Sequence, residues 1–217
     1  MDIGRAFSYM FDDEDWAQKV LLGALLSIIP IIGPFYALGY ATEVIKNMIQ
    51  GRAPLLPDIT EDFGGKLLKG LLVWVITVIY FFPLIVVTSF SGLIVAVTGE
   101  TLEMESAGFI VSGCCVGLAS LVLGVAGGIF LPYAWGSYAE TGKFGAAFQI
   151  GKLFGMIKAN IGPTLLALLI VVLAGAIVTP IGSIVCIIGV IFTQFYVQLI
   201  TAFLYGSLYR DAQAKTL

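Results

Sequence analysis

The sequence predicts an all-α, polytopic membrane helix bundle, and three observations carry that prediction. Hydrophobic residues fill 59% of the 217 positions and charged residues 12%, where soluble domains carry roughly 45–50% and about 25%. Four windows hold no Asp, Glu, Lys or Arg: residues 20–42, 70–99, 106–139 and 159–209, of 23, 30, 34 and 51 residues. Inside them the apolar residues run on without alternating at a period of two, which favours helices over a β-barrel. A balance of 11 basic against 14 acidic residues gives no cationic footprint, so the composition excludes a nucleic-acid partner as well as a soluble enzyme and a disordered tail.

In chain order, the first 19 residues carry five acids and no apolar run, so no cleavable signal peptide is expected. Asp12-Asp13-Glu14-Asp15 precedes Trp16. Asp15 reads as a helix N-cap, the acids suit the positive helix end, and Trp16 reads as an interfacial anchor in contact with lipid headgroups. A cation or protein contact at the acidic run is the second reading.

Window 20–42 is long enough to cross a hydrocarbon core of about 30 Å once, but Pro30, Gly33 and Pro34 interrupt it. Proline inside a helix removes a hydrogen bond and clashes with the preceding turn. A short hairpin is therefore expected, Trp16–Ile29 and Pro34–Ile49, with arms of roughly 21–24 Å; a single crossing, giving five in all, is the alternative. Windows 70–99 and 106–139 form a second pair, joined by Glu100, Glu103 and Glu105. These three either keep a short turn in water or ring a pore mouth with carboxylates. The last window as one helix would be about 76 Å long, so it folds back, with Thr179-Pro180-Ile181-Gly182 as the expected turn. Six membrane-inserted helices result.

Basic residues set the orientation. Lys46, Arg52, Lys66 and Lys69 lie in segment 43–69, Lys143, Lys152 and Lys158 in segment 140–158, and Arg210 and Lys215 in the tail. Those segments and both termini are expected to be cytoplasmic, in a multi-pass protein of the cell membrane.

An internal pattern supports the hairpins. Tyr36-Ala37-Leu38-Gly39-Tyr40, Tyr133-Ala134-Trp135-Gly136-Ser137 and Phe203-Leu204-Tyr205-Gly206-Ser207 each set an aromatic three before a glycine, and Glu43, Glu140 or Arg210 follows that glycine by four. Ile3–Phe7, Ile59–Phe63 and Phe144–Phe148 precede the three hairpins, each apolar at its first position and Phe at its fifth. The prediction is one membrane domain, residues 1–217, of three hairpin repeats at about 1–50, 59–140 and 143–211, each introduced by an interfacial amphipathic helix.

The run Phe7-Ser8-Tyr9-Met10-Phe11-Asp12-Asp13-Glu14-Asp15-Trp16, then Ile29-Pro30-Ile31-Ile32-Gly33, Leu38-Gly39-Tyr40, Gly51 and Leu56-Pro57, resembles an uncharacterised "domain of unknown function" family of small, mainly archaeal polytopic membrane proteins. More distantly the layout is similar to the membrane domain of some glycerophosphodiester phosphodiesterases. The resemblance covers residues 5–65 closely and the rest in topology alone. It implies architecture and membrane location, and no chemistry.

Candidate residues follow from what is missing and from which polar groups lie in apolar windows. The chain has no histidine, no phosphate-binding or nucleophile-elbow motif, and Cys114, Cys115 and Cys186 lack the paired spacing of a zinc site. No enzyme activity, catalytic residue, metal or cofactor is expected. Gln194, Gln198, Thr201 and Tyr205 fall at i, i+4, i+7 and i+11, one helix face, with Thr77, Tyr80, Thr88 and Ser91 as a facing wall; they read either as interhelical hydrogen bonding or as a polar pathway. Glu43, Glu140 and Arg210 read as a cytoplasmic charge cluster or as snorkelling helix ends. Lys143, Lys152 and Lys158 interleave with Phe144, Phe148, Leu153, Phe154 and Ile157, the pattern of a helix lying on anionic lipid. The pairs Gly113/Gly117, Gly124/Gly128 and Gly151/Gly155 allow close helix approach, within one chain or in a homo-oligomer. The leading expectation is a lipid- or partner-binding scaffold; the alternative is a transporter or channel for a small polar solute.

Overall fold

The computed structural model describes residues 2–98, 107–184 and 186–216, and every regular element among them is helical. In chain order these are α1 (Ile3–Ser8), α2 (Trp16–Ser27), α3 (Ile32–Gln50), α4 (Phe63–Thr98), α5 (Ala107–Thr141), α6 (Ile150–Ala159), α7 (Ile161–Ile184) and α8 (Cys186–Thr216), with short 3-10 turns at Tyr9–Asp12 and Phe144–Phe148. Glu100, Glu103 and Glu105 lie outside the described residues.

Among the described residues four segments are long and apolar enough to cross a membrane: Phe63–Leu93, Gly113–Thr141, Ile161–Gly182 and Gly189–Thr216. The six insertions expected from the sequence therefore become four by length and composition. With 12 residues, α2 spans only about 18 Å, and the 19-residue α3 carries Glu43 and Lys46 in its last turns. The break between them falls where the prolines placed it. Ile31 turns the chain at φ 69°, a conformation a β-branched residue rarely adopts. The tip it makes is apolar and open, with Ile31 76% exposed.

Two local expectations need correcting. The sequence placed a turn at Thr179–Gly182, yet α7 continues through Pro180 to Ile184; an apolar environment leaves a helix no better partner for its carbonyls than its own N–H groups, so proline is absorbed. Of the three introductory amphipathic helices, the first is α1. Residues 57–62 instead form an irregular loop, because the Asp58 carboxylate accepts from both the Thr60 N–H (2.9 Å) and its hydroxyl (3.0 Å) and holds a turn. Phe144–Phe148 is a 3-10 turn, with α6 following it.

The helices α3, α5 and α8 pack on one another, α4 lies along α3 and α5, and α7 lies along α8. Their contact is made at the three glycine motifs. A Cβ on Gly39 would fall 1.8 Å from the Lys66 carbonyl oxygen, so α3 and α4 cross backbone against backbone. Gly136 faces the Tyr209 ring, and Gly206 faces Met48 and Ile45. Around these crossings Tyr36, Tyr40, Tyr133, Phe203 and Tyr209 are fully buried, and the Trp135 indole N–H donates to Thr42 Oγ1 at 2.9 Å. Away from this centre the bundle exposes apolar side chains, Phe90, Leu93, Leu118, Leu121 and Val122 among them. Gly113 and Gly117 look into open space there, while Gly128 meets Leu168 of α7.

Candidate functional site

The polar face of α8 is built as the spacing requires, but its members part company in space. Gln194 donates across to Thr179 Oγ1 of α7 at 3.3 Å. Thr201 turns its hydroxyl back to the Val197 carbonyl of its own helix at 2.8 Å, and Tyr205 is buried edge-on against Trp135, 5.8 Å between ring centres. On α4, Thr77 donates to its own Val73 carbonyl at 2.9 Å, and Thr88 and Ser91 likewise bond within α4. Tyr80 reaches the Ala147 carbonyl at 2.7 Å and stacks on Phe130 and Phe148. The two walls therefore do not face one another across a common space. The hydroxyls of Thr77, Tyr80, Thr88, Ser91 and Thr201 each take a carbonyl, the cheapest partner where water is excluded. Gln198 differs: its side-chain nitrogen is buried and, among the described residues, has no hydrogen-bond partner.

The three charged motif positions stand at one end of the core helices and take separate partners. Glu43 accepts from Lys69 at 2.7 Å, and Lys69 also meets Asp62 at 3.2 Å. Glu140 accepts from the Tyr209 hydroxyl at 2.6 Å and from Gln213 at 2.8 Å. Arg210 donates to the Met48 carbonyl at 3.5 Å.

The lysine-bearing segment is two-faced. In α6, Leu153, Met156 and Ile157 are buried, while Ile150 and Phe154 are exposed with Lys152 and Lys158. Lys158 stands 4.8 Å over the Phe154 ring. Lys152 donates to the Tyr209 hydroxyl at 3.2 Å, forming a line Lys152–Tyr209–Glu140. Lys143 is exposed beside the Thr141 turn. Trp16 is partly exposed and edge-on to Phe11 at 4.7 Å. Asp15 occupies the N-cap position of α2 as expected, but its side chain makes no cap hydrogen bond. Asp13 does the ordering: one carboxylate oxygen accepts the Asp15 N–H at 2.9 Å and the other pairs with Lys19 at 2.7 Å.

Sequence reasoning missed a clasp on loop 51–62. Lys66, grouped with the exposed basic residues, is almost wholly buried and donates to the Asp58 and Glu61 carbonyls. Tyr36 donates to Ile59 O at 2.6 Å, Tyr40 to Pro57 O at 3.1 Å and Asn47 to Leu55 O at 3.1 Å. Hydrogen bonds from Thr60 hold the Asp58 carboxyl below its ordinary range, and the Lys69 ammonium does the same for Asp62. The only sequence signal was a tyrosine pair four apart on a helix that would otherwise be read as core.

A family model described as "Protein of unknown function (DUF4013)" matches residues 22–187. Of the residues that carried the resemblance, Ile29–Gly33, Leu38–Tyr40, Gly51 and Leu56-Pro57 fall within that range, and Phe7–Trp16 precedes it. No curated protein and no solved structure matches the chain.

Proposed function

The chain belongs to this family of proteins of unknown function, and on that premise we propose that it is a non-enzymatic, multi-pass protein of the cell membrane that binds lipid at its loop-bearing end. The observation that supports this reading is α6. One face packs into the bundle through Leu153, Met156 and Ile157, and the other offers Ile150 and Phe154 flanked by Lys152 and Lys158. At a bilayer surface such a face seats its apolar groups at the acyl boundary and its ammonium groups among anionic headgroups. The basic residues of the loops support a cytoplasmic position for this end and for both termini. The three-hairpin arrangement belongs to the same proposal, with α2 and α3 as a short first pair; its support is that the three motif glycines all stand at helix contacts.

The direct test is native mass spectrometry of the purified protein with phosphatidylglycerol or phosphatidylcholine. Preferential retention of phosphatidylglycerol, reduced several-fold in a Lys143→Gln/Lys152→Gln/Lys158→Gln variant, supports lipid binding; equal retention of both lipids contradicts it. One observation favours a second reading, a solute pathway along α8: the unpartnered nitrogen of Gln198. Selective flux in proteoliposomes that disappears in Gln194→Leu/Gln198→Leu would establish that reading instead.

A further inference from the structure

We infer that a cavity between α1, loop 51–62 and the end of α8 is a binding site for a phosphate ester. The inference rests on the lipid-binding reading and names the group that would be held. The cavity has a volume of about 480 Å³, and Arg5, Arg52 and Arg210 line it together with Met48, Phe203 and Ser207. Three arginines line this space with one acidic residue, Asp2, whose carboxylate accepts the Arg5 backbone N–H at 3.1 Å.

The arginines are weakly engaged. Arg5 has a 3.7 Å ion pair with Asp12, both side chains more than half exposed, an arrangement worth little in water. Arg210 has the 3.5 Å contact with Met48 O. Arg52 is exposed and, among the described residues, its guanidinium has no side-chain or backbone partner; only its main-chain N–H is bonded, to Asn47 O at 2.9 Å. Three arginines lining one cavity, one of them unpaired among the described residues and two held by long contacts of 3.7 and 3.5 Å, suit an anion of several oxygens. Carboxylate and phosphate both fit a guanidinium fork, and phosphate has the additional oxygens to meet more than one.

The sequence pattern points to the same place. At the position four after the motif glycine, Glu43 and Glu140 are met by Lys69 and by Tyr209 with Gln213. The third motif puts Arg210 there instead, on the helix whose Phe203 and Ser207 wall the cavity. Met48, Leu55 and Phe203 add an apolar side, suited to the glycerol and first methylenes of a lipid rather than to a bare ion. A lipid headgroup and a free phosphate ester share the recognising chemistry, and experiment separates them.

The test uses the full chain in non-ionic detergent, with short-chain phosphatidic acid and glycerol 3-phosphate as probes, read by isothermal titration calorimetry. Arg52→Gln is the primary variant because no contact in the fold depends on that side chain; Arg210→Gln is the second, and Arg52→Lys is the conservative control. Binding of phosphatidic acid that weakens tenfold or more in each Gln variant, with partial recovery in Arg52→Lys, supports the site. Binding of the lipid alone assigns it to a headgroup, and binding of both probes assigns it to phosphate esters in general. Unchanged affinity in Arg52→Gln overturns the inference. If the triple lysine variant loses phosphatidylglycerol while the Gln variants bind phosphatidic acid like the wild type, this site fails and the lipid-binding reading stands. If neither set of variants alters lipid binding, both fail.

Discussion

At the loop-bearing end of the bundle Tyr36, Tyr40, Tyr133 and Tyr209 are fully buried, whereas in the opposite half Phe90, Leu93, Leu118 and Leu121 each leave at least 60% of their surface open. The first region holds its helices together by close backbone crossings and by hydroxyl, amide and ammonium donors aimed at loop carbonyls. The second consists of long apolar helices that touch their neighbours along narrow seams, such as Phe81 on Gly127 and Leu84 near Gly124. Lipid tails are as apolar as leucine, so hydrophobic burial cannot drive helices together within the hydrocarbon. Cohesion has to come from shape and hydrogen bonding, and the chain concentrates both at one end. The far half only needs to be compatible with its solvent.

That contrast can be broken most severely at Gly39. In Gly39→Leu the side chain would start 1.8 Å from the Lys66 carbonyl oxygen, and forcing α3 from α4 should cost about 3 kcal/mol or more. Gly117→Leu, whose Cβ meets open space, should leave stability unchanged. Thermal unfolding followed by fluorescence-detected size exclusion compares the two, and equal effects would erase the distinction between the halves.

Next in size is Lys66→Met. Two loop carbonyls, of Asp58 and Glu61, lose their charged donor, which costs about 1–3 kcal/mol. Loop 51–62 should then be cut faster in limited proteolysis, with helix content by circular dichroism retained. Tyr133→Phe should cost about 0.5–1.5 kcal/mol, because it removes the 2.6 Å hydrogen bond to Thr164; denaturation in mixed detergent micelles measures it. Leu121→Ala in the far half should change less than either, since its side chain is 64% exposed.

The smallest effect is a pH dependence. Asp62 has its carboxyl lowered by the hydrogen bond and charge of Lys69, so the stability it contributes is present above the ordinary carboxylate value of about 4 and is lost as pH falls through the lowered one. The wild type should therefore lose slightly more thermal stability than Asp62→Asn on acidification through that range.

The regions also differ in how far they could be read from the sequence. Charge-free windows of 30, 34 and 51 residues announce α4, α5, α7 and α8, because a membrane imposes length and apolarity on any helix that crosses it. The Pro30–Pro34 break was legible for the same local reason. Pro180 misled, because its effect depends on what surrounds the helix, and periodicity does not carry that. The loop-bearing end was harder still. Lys66 looks like any loop lysine, and the partner of Glu140 lies 69 residues away at Tyr209. The Gln194, Thr201 and Tyr205 face was identified as a face, but where each side chain turns is settled by the nearest carbonyl or ring, which spacing does not reveal. Arg52 was visible only as a loop charge and Arg210 as a motif position grouped with Glu43 and Glu140; the cavity that joins them to Arg5 requires the fold.

In a membrane, lipid rather than water should solvate the far half. Electron paramagnetic resonance on the protein in liposomes tests it most directly, with Cys114, Cys115 and Cys186 replaced by alanine and nitroxides attached in turn at Leu118→Cys, Leu121→Cys and Val122→Cys. The account predicts relaxation by dissolved oxygen and little response to a water-soluble nickel chelate at all three sites. Strong relaxation by the chelate with weak relaxation by oxygen would place those side chains in water and contradict it.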